Sequence, residues 1–164
     1  TCIGYIGGVG SIMGLHNHTE DIRSLAFSDW SKRLGLPNEQ YIYADGPFTV
    51  SNGRALAARL LTDHPDDLPN ALVIGSDPMA VGVLQAFAEA GVRVPTDIAV
   101  VSVDNLPIAQ YTAPPLSSYA IDLHELVYAA LTTLTDAIAR DRHVRRHVLL
   151  STELVRRESL PSKS

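Results

Sequence analysis

Three polar side chains and one aromatic ring follow the four main apolar runs of the sequence, and together they could hold a small polar ligand. Arg23 lies one turn into a helical segment after the first run, and Phe48 follows the second. Ser76 follows the third run and Asp104 follows the fourth. A guanidinium and a carboxylate can fix the polar edge of a ligand, and an aromatic ring can cover its apolar face. The set favours a binding site for a polyhydroxylated or heteroaromatic molecule.

The elements that must position these residues alternate regularly. The apolar runs predict buried strands at residues 2–6, 41–43, 71–75 and 98–103. Amphipathic segments between them predict helices at residues 22–34, 50–61 and 78–90. Strands that are apolar throughout, separated by helices, indicate a doubly wound, Rossmann-like α/β layer with a parallel sheet covered on both faces. Ligands bind such sheets at the carboxyl ends of the strands, where the four side chains converge.

The first and third helices carry recognisable start signals. Thr19 is predicted to cap the first, with Glu20 and Asp21 as acids of its first turn. Asp77 is predicted to cap the third, with Pro78 at its first helical position. The buried stripe of the first helix is predicted to consist of Ile22, Leu25, Ala26, Trp30 and Leu34.

The regular alternation of predicted strands and helices ends after residue 103. Three prolines indicate a loop-rich stretch that is neither central strand nor helix: Pro107, Pro114 and Pro115. A long helix, Leu123–Arg140, is then predicted, with Asp122 and Glu125 spaced like a capping box. A last short strand is predicted at residues 148–150, before a frayed tail.

Composition narrows the class of protein. The chain has 164 residues, 46% of them hydrophobic, and contains no run long enough to span a membrane. Its net charge of −5 argues against nucleic-acid binding by this chain itself. The single cysteine, Cys2, cannot form an internal disulfide, which fits a reducing cytoplasm. Because the chain begins at Thr1 inside a predicted strand, we expect that a preceding segment has been removed.

Each candidate site residue also has a purely structural interpretation. Arg23 could pair with a neighbouring acid on its own helix, and Phe48 could close the sheet edge. Ser76 and Asp77 are natural helix caps, and capping explains Asp77 better than ligand binding does. Asp104 could initiate a turn, although a carboxylate at the end of an apolar strand must find partners.

Two further interpretations are weaker. The glycines of residues 8–10, followed by Gly14, approximate a dinucleotide fingerprint, but the last glycine is one position late and the helix starts too late to meet a pyrophosphate. His16 and His18, with Asp104, could bind a metal, but a single histidine pair in a loop is a weak signal. No catalytic residue, cofactor or metal is therefore predicted.

Several motifs, in order and spacing, resemble the LacI/GalR family of bacterial regulators. Residues 71–82 (ALVIGSDPMAVG) resemble the pattern A-[ILV]-x-x-x-[NS]-D-x-M-A-x-G, and residues 91–101 (GVRVPTDIAVV) resemble G-x-x-[VI]-P-x-D-[IV]-[SA]-[VI]-V. Residues 114–118 (PPLSS) resemble P-P-L-[ST]-[ST], and residues 23–27 (RSLAF) resemble R-x-x-G-F. Ser102 and Val103 stand where the family usually has glycine and an aromatic residue.

The resemblance implies a type I periplasmic-binding-protein fold, in which two lobes enclose an effector and follow an N-terminal helix-turn-helix headpiece. Residues 1–121 would form the C-terminal lobe. Residues 122–150 would be a crossing helix and strand of the other lobe, and residues 151–164 a return segment and tail.

By matching motif, the resemblance implies effector contacts at Arg23, Phe48, Ser76 and Asp104. It also implies a cytoplasmic homodimer, paired through residues 78–90 and 111–119, that meets operator DNA only through the absent headpiece. The effector would be a sugar or related metabolite. The main alternative is an extracytoplasmic sugar-binding protein serving a transporter, and a dinucleotide-dependent enzyme is a weaker one.

Overall fold

One six-stranded sheet organises the chain. The computed structural model describes residues 2–10, 21–140 and 148–161. The strands, in chain order, are β1 (Ile3–Gly7), β2 (Ile42–Ala44), β3 (Ala71–Ile74), β4 (Ala99–Asp104), β5 (Ser117–Ala120) and β6 (Glu153–Val155). The helices are α1 (Ile22–Arg33), α2 (Val50–Asp63), α3 (Asp77–Glu89) and α4 (Leu123–Arg140).

The spatial order of the strands is β2-β1-β3-β4-β5-β6. Neighbours from β2 to β5 are parallel, and β6 is antiparallel to β5. The predicted doubly wound α/β layer is therefore confirmed. Its core is formed mainly by α2, α3 and the central strands, with fully buried side chains that include Ile6, Leu60, Leu72, Ile74, Met79, Val83, Phe87, Ile98, Val100 and Leu116.

The predicted buried stripe of α1 is wrong. Its large members are exposed, with Ile22 at 72% and Trp30 at 58%. The residues buried instead are Ser24 and Ser31, and Phe27 stacks on a tyrosine of β1. The Ser24 hydroxyl donates to a backbone carbonyl and the Ser31 hydroxyl accepts from an asparagine side chain. Because hydroxyls with such partners are buried at little cost, apolar spacing misidentifies the inner face of this helix.

The helix starts are also shifted from prediction. Asp21 caps α1 by accepting from the Arg23 backbone N–H at 2.9 Å, while the predicted cap Thr19 lies outside the described residues. Ser76, not Asp77, caps α3. Gly91, with a φ of 75°, then closes α3 in a Schellman motif, in which its N–H donates to the Ala88 carbonyl.

The stretch after β4 holds more regular structure than predicted. The prolines precede β5, and two serines of that strand are buried and hydrogen-bonded, so neither hydropathy nor alternation marks it as a strand. The predicted strand at residues 148–150 is wrong. Leu149 is 94% exposed there. The final strand is instead β6, which pairs with β5 in the antiparallel direction.

The predicted long helix is confirmed as α4. The Asp122 carboxylate caps it by accepting from the Glu125 N–H at 3.0 Å. Its apolar side chains do not pack on the sheet, and those that are exposed are Leu123, Leu126, Val127, Tyr128, Leu131, Leu134 and Ile138. Among the described residues, no helix is both long and apolar enough to cross a membrane.

Helices α2 and α3 cross with their backbones in contact at Gly53 and Gly82. A Cβ on Gly82 would lie 2.0 Å from the Val50 carbonyl oxygen, and one on Gly53 would lie 2.2 Å from that of Met79. Backbone atoms cannot yield as a flexible side chain does, so glycine is required at both positions.

We expect Gly82→Ala to lower the free energy of unfolding by about 1–3 kcal/mol, because the overlap outweighs the better helix propensity of alanine. Urea unfolding measures the change. Gln85→Ala, at an exposed position of the same helix, is the control and should stay within about 0.5 kcal/mol of wild type. A Gly82→Ala protein as stable as this control would contradict the close crossing.

Candidate ligand-binding site

Arg23 is held in one orientation at the carboxyl end of the sheet. Its Nε donates to Asp21 Oδ1 at 2.7 Å and its Nη2 donates to Asp21 Oδ2 at 3.0 Å. Its Nη1 donates to the Gly75 carbonyl, just after β3, at 2.7 Å. These hydrogen bonds hold the pKa of Asp21 below its ordinary value. The pairing with Asp21 therefore fixes the orientation of the Arg23 guanidinium without using all of its N–H donors.

Phe48 lies against this guanidinium. The Arg23 Cζ is 4.0 Å from the centroid of the Phe48 ring. The ring also lies close to Gly8 and Gly75, since a Cβ on either glycine would meet it at 2.9 Å. The loop after β2 thus carries its aromatic ring over the ends of β1 and β3. The predicted meeting of Arg23 and Phe48 at one rim is confirmed by this contact.

Asp104 and Asn105 form a turn at the end of β4 with positive φ angles of 109° and 50°. Three groups hold the turn in this uncommon conformation. The Asn105 N–H donates to Ser118 Oγ at 3.0 Å, the Leu106 N–H donates to Asp77 Oδ2 at 2.6 Å, and Arg157 Nη2 donates to Asn105 Oδ1 at 2.8 Å. Strain of this kind persists only where the surroundings impose it.

The Asp104 carboxyl group itself is partly buried at the rim. Burial, followed by the nearby Asp77 carboxylate, raises its pKa, and the positive charge of Arg23 opposes the shift. A hydrogen bond from the Asp77 backbone N–H also opposes the shift, and a carboxylate can accept further hydrogen bonds beyond this one. Asp104 therefore offers a carboxylate acceptor within the electrostatic reach of Arg23.

Ser76 and Asp77 lie beneath the rim. Ser76 is 4% exposed, and its hydroxyl accepts from the Met79 N–H as the cap of α3. Asp77 is fully buried and accepts from the hydroxyls of Ser102 and Ser118. Asp77 thus supports the turn rather than capping a helix, and Ser76 is the predicted site residue with the least side chain at the surface.

Sequence reasoning missed two residues of this rim. The sequence predicts Asp21 only as a first-turn acid, although its spacing of two from Arg23 at a helix start is a signal for the pair. It predicts Tyr5 only as part of a strand, and nothing local distinguishes it. In the part of the chain that the structure describes, no cluster of three metal-binding side chains occurs. His16 and His18 lie outside that part.

The fold and the rim together define a doubly wound α/β domain with a candidate ligand site at the carboxyl ends of its strands, and comparison with known proteins identifies its family. A sequence profile of the periplasmic binding protein-like domain matches residues 1–160. The HTH-type transcriptional regulator LacR of Lactobacillus helveticus is 40% identical over 159 residues, covering 96% of this chain and 46% of that protein. The chain spans about half the length of the curated relatives it matches.

Solved structures of LacI family regulators are also similar to this chain. The LacI family transcriptional regulator from Arthrobacter sp. FB24, in complex with lactose, superposes with a TM-score of 0.81 at 28% identity, covering 97% of this chain and 57% of that one. A LacI family regulator from Lactobacillus casei with bound sucrose gives 0.75 at 28% identity, covering 96% and 56%. The chain belongs to the periplasmic binding protein-like family, and over nearly its whole length it is similar to part of LacI-type regulators.

We expect Asp21→Asn to lower the free energy of unfolding at pH 7 by about 1–2 kcal/mol, because a charged hydrogen bond to a partly exposed arginine is lost. The folded-state pKa of Asp21 is depressed, so its contribution is present above the unfolded-state pKa and disappears as pH falls through the folded-state value. The difference between variant and wild type should therefore shrink from pH 7 to pH 3 in urea unfolding.

Asp29→Asn is the matched control, because Asp29 pairs with Arg33 on the same helix at 2.9 Å with both side chains more than half exposed. It should change stability little at either pH. Equal effects of the two substitutions at pH 7 would show that Asp21 does not hold Arg23 as described.

Proposed function

We propose that the chain is the effector-sensing domain of a LacI/GalR-type DNA-binding transcriptional regulator, and that it binds a sugar or related metabolite at this rim. The observation that carries the proposal is the fixed guanidinium of Arg23. Among the described residues, three of its five N–H groups have protein partners, which leaves two for a ligand. Two fixed donors within electrostatic reach of the Asp104 acceptor suit a hydroxyl-rich molecule, and Phe48 suits the apolar face of a sugar ring.

The relatives support the same class of ligand and of protein. Two structural neighbours hold lactose and sucrose, and the curated relatives are transcriptional regulators. Cytoplasmic location, operator recognition by a separate headpiece and the absence of catalysis follow from the same proposal. The net charge of −5 supports leaving DNA contact to another part of the regulator.

We expect Arg23→Ala to weaken sugar binding by about 1.5–3 kcal/mol, the range for a charged hydrogen bond. Calorimetric titration with lactose and with sucrose measures the loss. Arg33→Ala is the control, because Arg33 lies on the same helix, is exposed and pairs only with side chains of that helix. Unchanged binding in Arg23→Ala would contradict the site, and no binding of either sugar by wild type would contradict the proposed effector.

We further propose that the regulator is a homodimer and that α4 belongs to the other lobe of the effector domain. The stretch assigned by resemblance to the two-fold contact exposes Tyr111 at 77% and Tyr119 at 40%. Full burial of an apolar side chain contributes about 1.5–3 kcal/mol, so the exposed face of α4 corresponds to a large part of a domain's stability. Neither the stretch around Tyr111 nor the apolar face of α4 is buried within the single chain.

Sedimentation velocity of this chain at high micromolar concentration should show a dimer. Two substitutions distinguish the two surfaces. Tyr111→Asp places a charge on the stretch assigned to the two-fold contact, and Leu131→Asp places a charge on α4. Each charge opposes burial of its own surface only. Loss of the dimer with Tyr111→Asp alone would assign the contact to the lobe, and loss with Leu131→Asp alone would assign it to α4. A monomer in which α4 is protected from hydrogen exchange would contradict the proposal, because the helix would then fold back on its own sheet.

A further inference from the structure

The hydroxyl of Tyr5 is buried without a hydrogen-bond partner. Tyr5 lies in β1, is 1% exposed and stacks on Phe27 with ring centroids 5.2 Å apart. Its hydroxyl oxygen is the one buried side-chain polar atom without a partner in the described part of the chain. A buried polar group without a hydrogen bond is costly, and phenylalanine would fill the same space without that cost.

The other buried tyrosines of the sheet do not share this feature. The Tyr41 hydroxyl donates to Asp67 Oδ2 at 2.6 Å, and the Tyr43 hydroxyl donates to Asp63 Oδ2 at 2.8 Å. Tyr43 lies in β2, and Tyr41 directly precedes that strand. The fold therefore satisfies tyrosine hydroxyls where they serve structure alone, and the exception is at the candidate site.

The position of the Tyr5 hydroxyl connects it to that site. A Cβ on Gly75 would lie 3.0 Å from this hydroxyl and 2.9 Å from the Phe48 ring, so both groups border the same point. The Gly75 carbonyl accepts from Arg23 at 2.7 Å. Burial raises the pKa of Tyr5 to about 12, and the charges of Asp21 and Arg23 also act on it. The hydroxyl thus stays protonated and, with the Phe48 ring, borders the residue whose carbonyl accepts from the guanidinium.

We propose that the Tyr5 hydroxyl is a binding group for the effector and forms a hydrogen bond with one of its hydroxyl groups at the floor of the site. The inference rests on the proposed function and adds a residue that sets its specificity. Tyr5 can both donate and accept, which matches a sugar hydroxyl better than a ligand with acceptors alone. Because the hydroxyl is covered, a neighbour must move to admit the ligand, and Phe48, which is only partly buried, is placed to do so.

Tyr5→Phe tests the inference through two measurements. In urea unfolding without sugar, the variant should be as stable as wild type or more stable, because no protein hydrogen bond is lost. In calorimetric titration with lactose and with sucrose, it should bind about tenfold more weakly, the loss of one hydrogen bond. Tyr41→Phe is the matched control, and it should lose stability while keeping wild-type affinity.

The outcomes separate the inference from the function on which it rests. Tyr5→Phe destabilised as much as Tyr41→Phe would show that the hydroxyl already has a partner, and this overturns the inference without reference to any ligand. Wild-type affinity in Tyr5→Phe, with weakened binding in Arg23→Ala, overturns the inference alone. If wild type binds neither sugar, the proposed effector class and the inference both fail.

Discussion

The buried carboxylate of Asp77 is the constraint on which the site depends. A fully buried carboxylate is tolerated only when its oxygens are satisfied, and here the donors are two serine hydroxyls, Ser102 on β4 and Ser118 on β5, and the Leu106 N–H. The first turn of α3, two strands and the turn after β4 are thereby held together by one group. Removing a donor would leave a buried charge unpaired, so the positions are mutually determined.

The consequence of this constraint appears at the surface. With the turn after β4 fixed in positive φ, Asp104 is kept near Arg23, whose own orientation is set by Asp21 and the Gly75 carbonyl. The opposite charges of Arg23 and Asp104 therefore do not move together into a direct ion pair, because each is attached to a different rigid element. A ligand that pairs with both charges meets groups already oriented, and the cost of ordering them is borne by the fold.

The topology and the meeting of Arg23 and Phe48 could be predicted from sequence because both follow from local signals: apolar runs predict β1, β3 and β4, and side chains after strand ends gather at one edge of the sheet. What failed depends on tertiary contacts. On the buried face of α1, Ser31 accepts from Asn38 beyond the end of the helix, and β5 conceals Ser117 and Ser118 in the interior. The roles of Asp21 and Tyr5 depend on which neighbours the folded chain supplies, and periodicity carries no such information.

The hydrogen bonds around the turn after β4 extend to the place where the chain leaves the sheet after β5 and returns to it at β6. Ala120, the last residue of β5, pairs with Glu153, the first of β6, so both ends of the α4 excursion lie side by side. Arg157, just beyond β6, donates to the Leu116 carbonyl and to the Asn105 side chain. A displacement of the turn after β4 therefore changes hydrogen bonds that hold the return segment.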